Sequence, residues 1–318
     1  MATRFEILVC GENPVAARAA AEEALDEIER LEGLLSLFLA TSEIRHVNAR
    51  AAFEPVRISA PVFRLLQQAR DLSVETDGAF DITVAPLMRC WGFAGGAGRL
   101  PESHEIKEAR ARVGFRWVDL DETSFSVRFA REGMALDLGG IGKGYALERA
   151  AEILREAGVG NALLHGGTST VHAIGKPPND PFWKIALEHP ERTEPDGLDP
   201  AAATSRPERV LGIVTLENEA LSVSAVSGKY FLASETKYGH VLDPRTGYPV
   251  QRALLAAVAL PSATETDAFS TALLTLGEAG HEALLKLRPE MRTLLVSAGE
   301  DGNEPRVSAR GIEPGGNQ

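Results

Sequence analysis

Apolar residues recur every three or four positions in four stretches of the chain, which is the spacing of one face of an α-helix. Two of these stretches begin at a favourable N-cap residue followed closely by proline, and three end at glycine. The predicted helices run from Asn13–Pro14 to Leu35, from Ser59 to Gly78, from about Lys143 to Gly158, and through Phe269 to Gly277.

Short apolar runs, bounded by turn-forming residues, predict strands between and after these helices. They are Phe5 to Cys10, Asn161 to His165, Trp183 to Glu188, Val210 to Leu216, Leu221 to Val226, Leu254 to Leu260, and Thr293 to Ser297. Most of them lie in the second half of the chain and do not alternate strictly with helices. This order predicts an α+β fold with largely antiparallel sheets and flanking helices, rather than a doubly wound parallel sheet.

The distribution of polar residues indicates one domain over residues 1–300. Residues 189–209 are rich in acidic residues and proline, so we expect them to form a loop insertion. Residues 301–318 are polar and rich in glycine, and we expect them to form a mobile C-terminal tail.

The composition is that of a packed globular protein, and the net charge disfavours some classes of binding partner. Of the 318 residues 44% are hydrophobic, and the formal net charge is −12, which disfavours nucleic acid and anionic membrane surfaces as partners. No run approaches the roughly 20 apolar residues of a membrane span. Glu6 interrupts the stretch where a signal peptide needs apolar residues. We therefore expect a cytoplasmic protein in which Cys10 and Cys90 are core thiols.

A glycine-rich segment, Leu136 to Tyr145, joins a strand-like run to a predicted helix. Free amides and the positive dipole end at such a helix start favour an anion, and Lys143 adds a full charge. The segment departs from a Walker A loop at Asp137 and Gly144, and it lacks the third glycine of a GxGxxG motif. The residues alone indicate either a phosphate site or an ordinary glycine-rich turn.

Three further segments carry polar residues suited to chemistry. Asp267 and Thr271 lie four residues apart and share a helix face. Their oxygens suit Mg²⁺, although an acid and a threonine also fit an ordinary helix N-terminus. His240 precedes the hairpin-turn sequence 243–247 and is either a general base or the partner of a backbone carbonyl. Residues 76–83 form a helix end and turn by the same criteria.

Taken together and in order, these segments resemble the ApbE-type flavin transferases, which are FAD:protein FMN transferases. The resemblance extends from about Phe5 to Gly277 and implies an ApbE-like, T-fold-type architecture. The matching motifs are Ser42-Glu43-Ile44 with Asn48, Gly78-Ala79-Phe80-Asp81, Asp137 to Tyr145, Gly166-Gly167 with Trp183 and Pro190, Ser227-Gly228, His240 to Gly247, and Asp267 to Thr271.

The resemblance implies a cleft that holds FAD as substrate together with Mg²⁺, or Mn²⁺ in its place. The residues implied to contact the flavin nucleotide are Leu35, Ala79, Phe80, Asp81, Asp137, Lys143, Ser227, Gly228 and Val241. The implied metal ligands are the Gly140 carbonyl, the Asp267 carboxylate and the Thr271 hydroxyl. His240 is implied to accept the proton of the attacking hydroxyl, with Asp81 as the alternative base.

The implied activity is a metal-dependent phosphoryl transfer that attaches FMN to a Thr or Ser hydroxyl of an acceptor flavoprotein and releases AMP. The acceptor is expected to carry a flavinylation motif similar to Asp-x-x-Ser/Thr-Gly/Ala-Ala-Thr. Two alternatives remain open, namely an FAD pyrophosphatase that gives FMN and AMP, and a non-catalytic flavin-binding module. One departure changes local charge: Lys229, in Val226 to Tyr230, stands where the family often has an aspartate.

Overall fold

The computed structural model describes residues 3–11, 13–190, 210–233, 236–299 and 304–314. The helices are α1 (Pro14–Leu35), α2 (Glu43–Arg50), α3 (Ala60–Glu75), α4 (Ala85–Cys90), α5 (Ser103–Arg110), α6 (Gly142–Glu156), α7 (Ala263–Leu276) and α8 (Glu278–Leu287). The strands are β1 (Phe5–Cys10), β2 (Val56–Arg57), β3 (Val118–Asp121), β4 (Ser126–Phe129), β5 (Asn161–Gly166), β6 (Thr170–Ile174), β7 (Trp183–Glu188), β8 (Val210–Leu216), β9 (Ala220–Ala225), β10 (Tyr230–Ala233), β11 (Thr236–Gly239), β12 (Ala253–Leu260), β13 (Arg292–Ser297) and β14 (Arg306–Arg310). Within these ranges, none of the helices combines the length and the apolar character that crossing a bilayer requires.

Seven strands form the central sheet, in the order β1-β5-β6-β9-β12-β13-β14. Each neighbouring pair in this sheet is antiparallel. A three-stranded sheet has the order β2-β4-β3, and β7–β8 and β10–β11 form two-stranded ribbons. The predicted α+β fold with antiparallel sheets and flanking helices is confirmed.

A layer of helices covers one face of the central sheet because each helix presents an apolar side to it. In α1, buried Ala24, Ile28, Leu31 and Leu35 follow the helical repeat. Helix α7 packs beside α6 and against strands β9 and β12, and most of its side chains are buried. The polar residues that α7 carries at its N-terminal half are therefore enclosed by the sheet and α6.

The opposite face of the sheet is covered by the β7–β8 ribbon. Trp183 and Leu187 of β7 and Val214 of β8 join sheet residues such as Leu255 in a second buried cluster. Both faces of the central strands are thus buried, which accounts for the almost continuous apolar sequence of β12.

A third, smaller cluster joins α4 and α5 to the β10–β11 hairpin. The rings of Phe231 and Tyr238 stack with centroids 5.3 Å apart, and Trp91 lies beside them. The Trp91 indole N–H donates to the carbonyl oxygen of Gly247 at 2.8 Å. This contact fixes the turn that follows His240.

The segment predicted to be a mobile tail requires a correction. Arg306–Arg310 forms the edge strand β14, and Ile312 is buried in the second cluster. Backbone pairing with β13 and one apolar anchor order this segment, and neither produces a strong hydrophobic pattern in the sequence. Residues 301–303 and 315–318, together with residues 191–209 of the predicted loop 189–209, lie outside the described residues.

Helices α6 and α7 approach most closely at Gly144, where a side chain has no room. A Cβ at this position would overlap the carbonyl oxygen of Ala263 and lie 2.9 Å from the Asp267 Cβ. Gly144→Ala should therefore lower the free energy of unfolding by about 1–3 kcal/mol, the usual range for overpacking. Denaturant unfolding measures this change.

Gly142→Ala is the matched control, because a Cβ there would only touch the Leu138 Cβ at an ordinary 3.8 Å. This variant should retain the stability of the parent protein. Equal stabilities of the Gly142 and Gly144 variants would contradict the close helix contact.

Candidate active site

The glycine-rich turn before α6 is held in place by contacts from distant parts of the chain. The Asn48 side chain donates to the Leu136 carbonyl at 2.9 Å and accepts from the Leu136 amide at 2.7 Å. The Asp137 amide donates to the Ile82 carbonyl at 2.6 Å. The Asp137 carboxylate in turn accepts from the Gly139 amide at 2.8 Å. The turn is therefore fixed on both sides before the helix begins.

The second part of the site is the first half of α7. Asp267 is only 4% exposed, and its carboxylate accepts a hydrogen bond from the Gly144 amide at 3.1 Å. The Lys143 ammonium lies 3.4 Å from the other Asp267 oxygen and 3.4 Å from the Gly139 carbonyl oxygen. A buried carboxylate requires such partners. Asp267 thereby joins the start of α6 to α7.

Thr271 lies one turn further along α7 and faces Gly140. Its Oγ1 is 3.1 Å from the position that a Cβ at Gly140 would take, and 3.3 Å from the Ser224 hydroxyl. The structure thus brings Gly140 next to Asp267 and Thr271, which lie far from it in sequence. Ser224, on β9, is a neighbour of this group that the sequence analysis missed, since a serine in a strand carries no motif.

This group offers oxygen donors of the hard type, a carboxylate and a hydroxyl next to a main-chain turn. Such donors suit Mg²⁺ or Mn²⁺. Over the described ranges, no cluster of three or more His, Cys, Asp and Glu side chains suitable for a metal is found. A cation at this place would therefore depend on one carboxylate together with neutral oxygens.

Phe80 forms the side of the site next to Gly140, with its Cε2 3.5 Å from the position of a Cβ there. Ala79 and Phe80 are both buried. Leu35 is buried in the main core at the end of α1, and its contacts are those of an ordinary core residue. These positions supply apolar packing and no titratable group.

Asp81 has a different environment from the one expected of a base. Its carboxylate accepts hydrogen bonds from the Thr83 amide at 2.8 Å, the Thr83 hydroxyl at 2.7 Å and the Phe115 amide at 2.9 Å. Burial raises the pKa of the carboxyl, and these hydrogen bonds oppose that increase. Asp81 therefore ties the turn after Phe80 to residue 115, a partner that sequence spacing does not reveal.

His240 lies on the other side of the site, at the end of the β10–β11 hairpin. Its amide donates to the Lys229 carbonyl at 2.9 Å, and its Nδ1 lies 3.1 Å from the same oxygen. Burial lowers the pKa of His240, and the charges of Lys229 and Lys143 lower it further. A Cβ at Gly228 would lie 3.2 Å from the imidazole Cε1. The imidazole is thus held close to the Gly228–Lys229 backbone and favours its neutral form.

The residues on either side of His240 complete this wall. Ser227 and Val241 are partly buried, and Val241 accepts a hydrogen bond from the Val250 amide at 2.9 Å. The predicted hairpin turn is present, since the Gly247 amide donates to the Asp243 carbonyl at 2.7 Å. The turn returns the chain beside Val241 and so fixes the position of His240.

The two walls act on each other electrostatically. The charge of Lys143, on α6, lowers the pKa of His240, and the charge of Lys229, on the hairpin side, lowers the pKa of Asp137. Burial is the larger influence on Asp137 and raises its pKa. A groove of about 280 Å³ lies at the hairpin wall and is lined by Phe93, residues 95–97 and residues 228–230.

Comparisons with known proteins show which family the chain resembles. The model of the ApbE family matches residues 1–295. A FAD:protein FMN transferase of Klebsiella pneumoniae (strain 342) is 31% identical over 286 residues, which cover 89% of this chain and 84% of the relative. A protein of the same name from Haemophilus influenzae is 28% identical over 290 residues, covering 87% and 79%.

Solved structures show the same fold. The crystal structure of the ApbE protein from Thermotoga maritima MSB8 superposes with a TM-score of 0.83 at 29% identity, covering 97% of this chain and 94% of that one. The apo form of the Pseudomonas stutzeri flavinyl transferase ApbE gives 0.80 at 26% identity, covering 96% and 91%. The ApbE-like fold expected from the motifs is confirmed, and the chain belongs to the ApbE family.

Proposed function

We propose that this protein transfers FMN from FAD to a Ser or Thr hydroxyl of an acceptor protein and releases AMP. The proposal rests on the match of the family model to residues 1–295. It rests also on the placement of Lys143, Asp267 and His240 on the two walls of the site. The relatives named FAD:protein FMN transferase align over most of the chain. We take their substrate, FAD, and their class of acceptor, a protein, as those of this chain.

We assign a divalent cation, Mg²⁺ or Mn²⁺, to the Gly140 carbonyl, the Asp267 carboxylate and the Thr271 hydroxyl. The fit rests on the closeness of Thr271 Oγ1 to Gly140 and on the burial of Asp267. Mg²⁺ typically keeps several waters or phosphate oxygens, so one carboxylate with two neutral oxygens is a sufficient protein share. The bound ion would neutralise charge on the diphosphate.

The diphosphate would lie at the start of α6, where backbone amides and the Lys143 ammonium attract an anion. Ala79, Phe80 and Asp137 would contact the flavin nucleotide from the α6 side, and Ser227, Gly228 and Val241 from the hairpin side. Leu35 would support this site through the core rather than by contact. These assignments follow the family resemblance and the two walls of the cleft.

In the transfer step, the acceptor hydroxyl oxygen attacks the phosphorus of the FMN half, and the bond from that phosphorus to the AMP oxygen breaks. The hydroxyl proton passes to His240. In the tautomer whose Nδ1–H donates to the Lys229 carbonyl, 3.1 Å away, Nε2 is unprotonated and able to take that proton. Asp81 acts as a positioning residue in this account, because its oxygens already accept three hydrogen bonds.

Product analysis tests the function. With FAD, Mg²⁺ and an acceptor domain that carries the flavinylation motif, the acceptor should gain the mass of one FMN, and an equal amount of AMP should appear. The same mixture without acceptor should leave FAD largely intact. Free FMN with AMP and an unchanged acceptor would identify a pyrophosphatase instead, and intact FAD in both mixtures would identify a binding module.

His240→Ala should lower the single-turnover rate of FMN transfer by about 10²–10⁴-fold, the usual loss for a missing general base, and change FAD affinity little. The pKa of His240 is lowered, so the wild-type transfer rate should decline with falling pH only below about pH 6.5, the ordinary histidine value. This decline is the acid limb of the pH–rate profile. This limb should be absent from the variant. A normal single-turnover rate, or an acid limb that persists unchanged in the variant, would remove His240 from the mechanism.

A further inference from the structure

Lys229 occupies a fixed place beside His240 that the transfer step above does not use. Its amide lies 3.3 Å from the imidazole Nδ1, and its carbonyl accepts from the His240 amide at 2.9 Å. Its Cα is therefore held against the imidazole, although the side chain is free to extend. The same residue lines the groove at the hairpin wall.

The Lys229 ammonium acts on the charged groups of the site. Its charge lowers the pKa of Asp137, as that of Lys143 does, and it also lowers the pKa of His240. Among the described residues, no carboxylate oxygen lies within ion-pair distance of Lys229. In a protein with a net charge of −12, a lysine at the site that forms no ion pair within the described ranges is available to an anionic ligand.

Lys143 alone is poorly placed to neutralise a dianionic ligand. It already shares its charge with Asp267 at 3.4 Å and with the Gly139 carbonyl oxygen at 3.4 Å. On the α6 wall, the charge of Lys143 is thus partly neutralised. On the hairpin wall, the charge of Lys229 is not neutralised by any carboxylate among the described residues. A ligand with two adjacent phosphates between the walls would meet one lysine from each.

We propose that Lys229 binds the diphosphate of the dinucleotide as a second cation, in addition to Lys143. The inference rests on the proposed function, because that function supplies FAD as the ligand. An aspartate in place of Lys229, which the family often has, would repel the diphosphate that the lysine attracts. The Lys229 ammonium would close the cleft from the hairpin side once the dinucleotide is bound.

Equilibrium binding without acceptor tests this inference, with FAD titrated into the wild type and variants in the presence of Mg²⁺ and its integrity checked by chromatography. Lys229→Ala should weaken FAD binding by about tenfold, the usual loss of a charge-assisted hydrogen bond. It should weaken ADP binding similarly, and Lys229→Arg should restore most of both affinities. Raising the salt concentration should weaken FAD binding less in Lys229→Ala than in the wild type.

Lys237→Ala is the matched control, because it removes the same charge from the same hairpin. The Lys237 ammonium lies 3.9 Å from the centre of the Tyr230 ring rather than near Asp137. FAD and ADP affinities of this variant should equal those of the wild type. If Lys237→Ala weakened FAD binding as much as Lys229→Ala, the loss would reflect only the change in net charge, and the inference would be overturned.

Unchanged FAD affinity in Lys229→Ala, or a loss that Lys229→Arg does not restore, would also overturn it. These results are distinct from a failure of the proposed function. A wild-type protein that binds no FAD would defeat the function itself. A wild-type protein that binds FAD without transferring FMN would leave the role of Lys229 intact.

Discussion

The close contact between α6 and α7 is the constraint on which the site depends. Because Gly144 has no side chain, the two helices approach closely enough for the Asp267 carboxylate to accept a hydrogen bond from the Gly144 amide. An amide at the first turn of a helix lacks an intrahelical partner, and this carboxylate supplies one. The same approach places Lys143 beside Asp267 and Thr271 beside Gly140. The contact between Gly144 and Asp267 therefore both binds a free amide at the start of α6 and packs α6 against α7.

The hairpin wall is organised independently of this helix pair. Phe231 and Tyr238 stack across the β10–β11 hairpin, and the Trp91 indole donates a hydrogen bond to the Gly247 carbonyl in the following turn. These two contacts hold the hairpin and the turn together. The hydrogen bond from the His240 amide to the Lys229 carbonyl continues the strand pairing of that hairpin. A site made from a rigid helix pair and a separately packed hairpin can place reacting groups on both sides of a ligand without a single continuous motif.

Much of the fold was predictable from the sequence because its long helices and apolar strands have clear periodicity. The glycine-rich helix start at Lys143 and the acid at Asp267 were also recognisable as local motifs. Their meeting was not predictable from spacing, since Gly144 and Asp267 are 123 positions apart and join only through tertiary packing. Asp81 is a similar case. Its motif predicted a role in the site, but the hydrogen bond that its carboxylate accepts from the Phe115 amide, 34 positions away, was not predictable. The strand β14 escaped prediction because backbone pairing, rather than buried side chains, defines it.

Anomalous diffraction from crystals grown with Mn²⁺ and FAD will decide whether Asp267, Thr271 and Gly140 hold the proposed cation. One strong manganese peak is expected in coordination contact with an Asp267 carboxylate oxygen and the Thr271 hydroxyl, and no such peak is expected in crystals of Asp267→Ala. A manganese peak elsewhere in the molecule, or an unchanged peak in the variant, would contradict the proposed cation site.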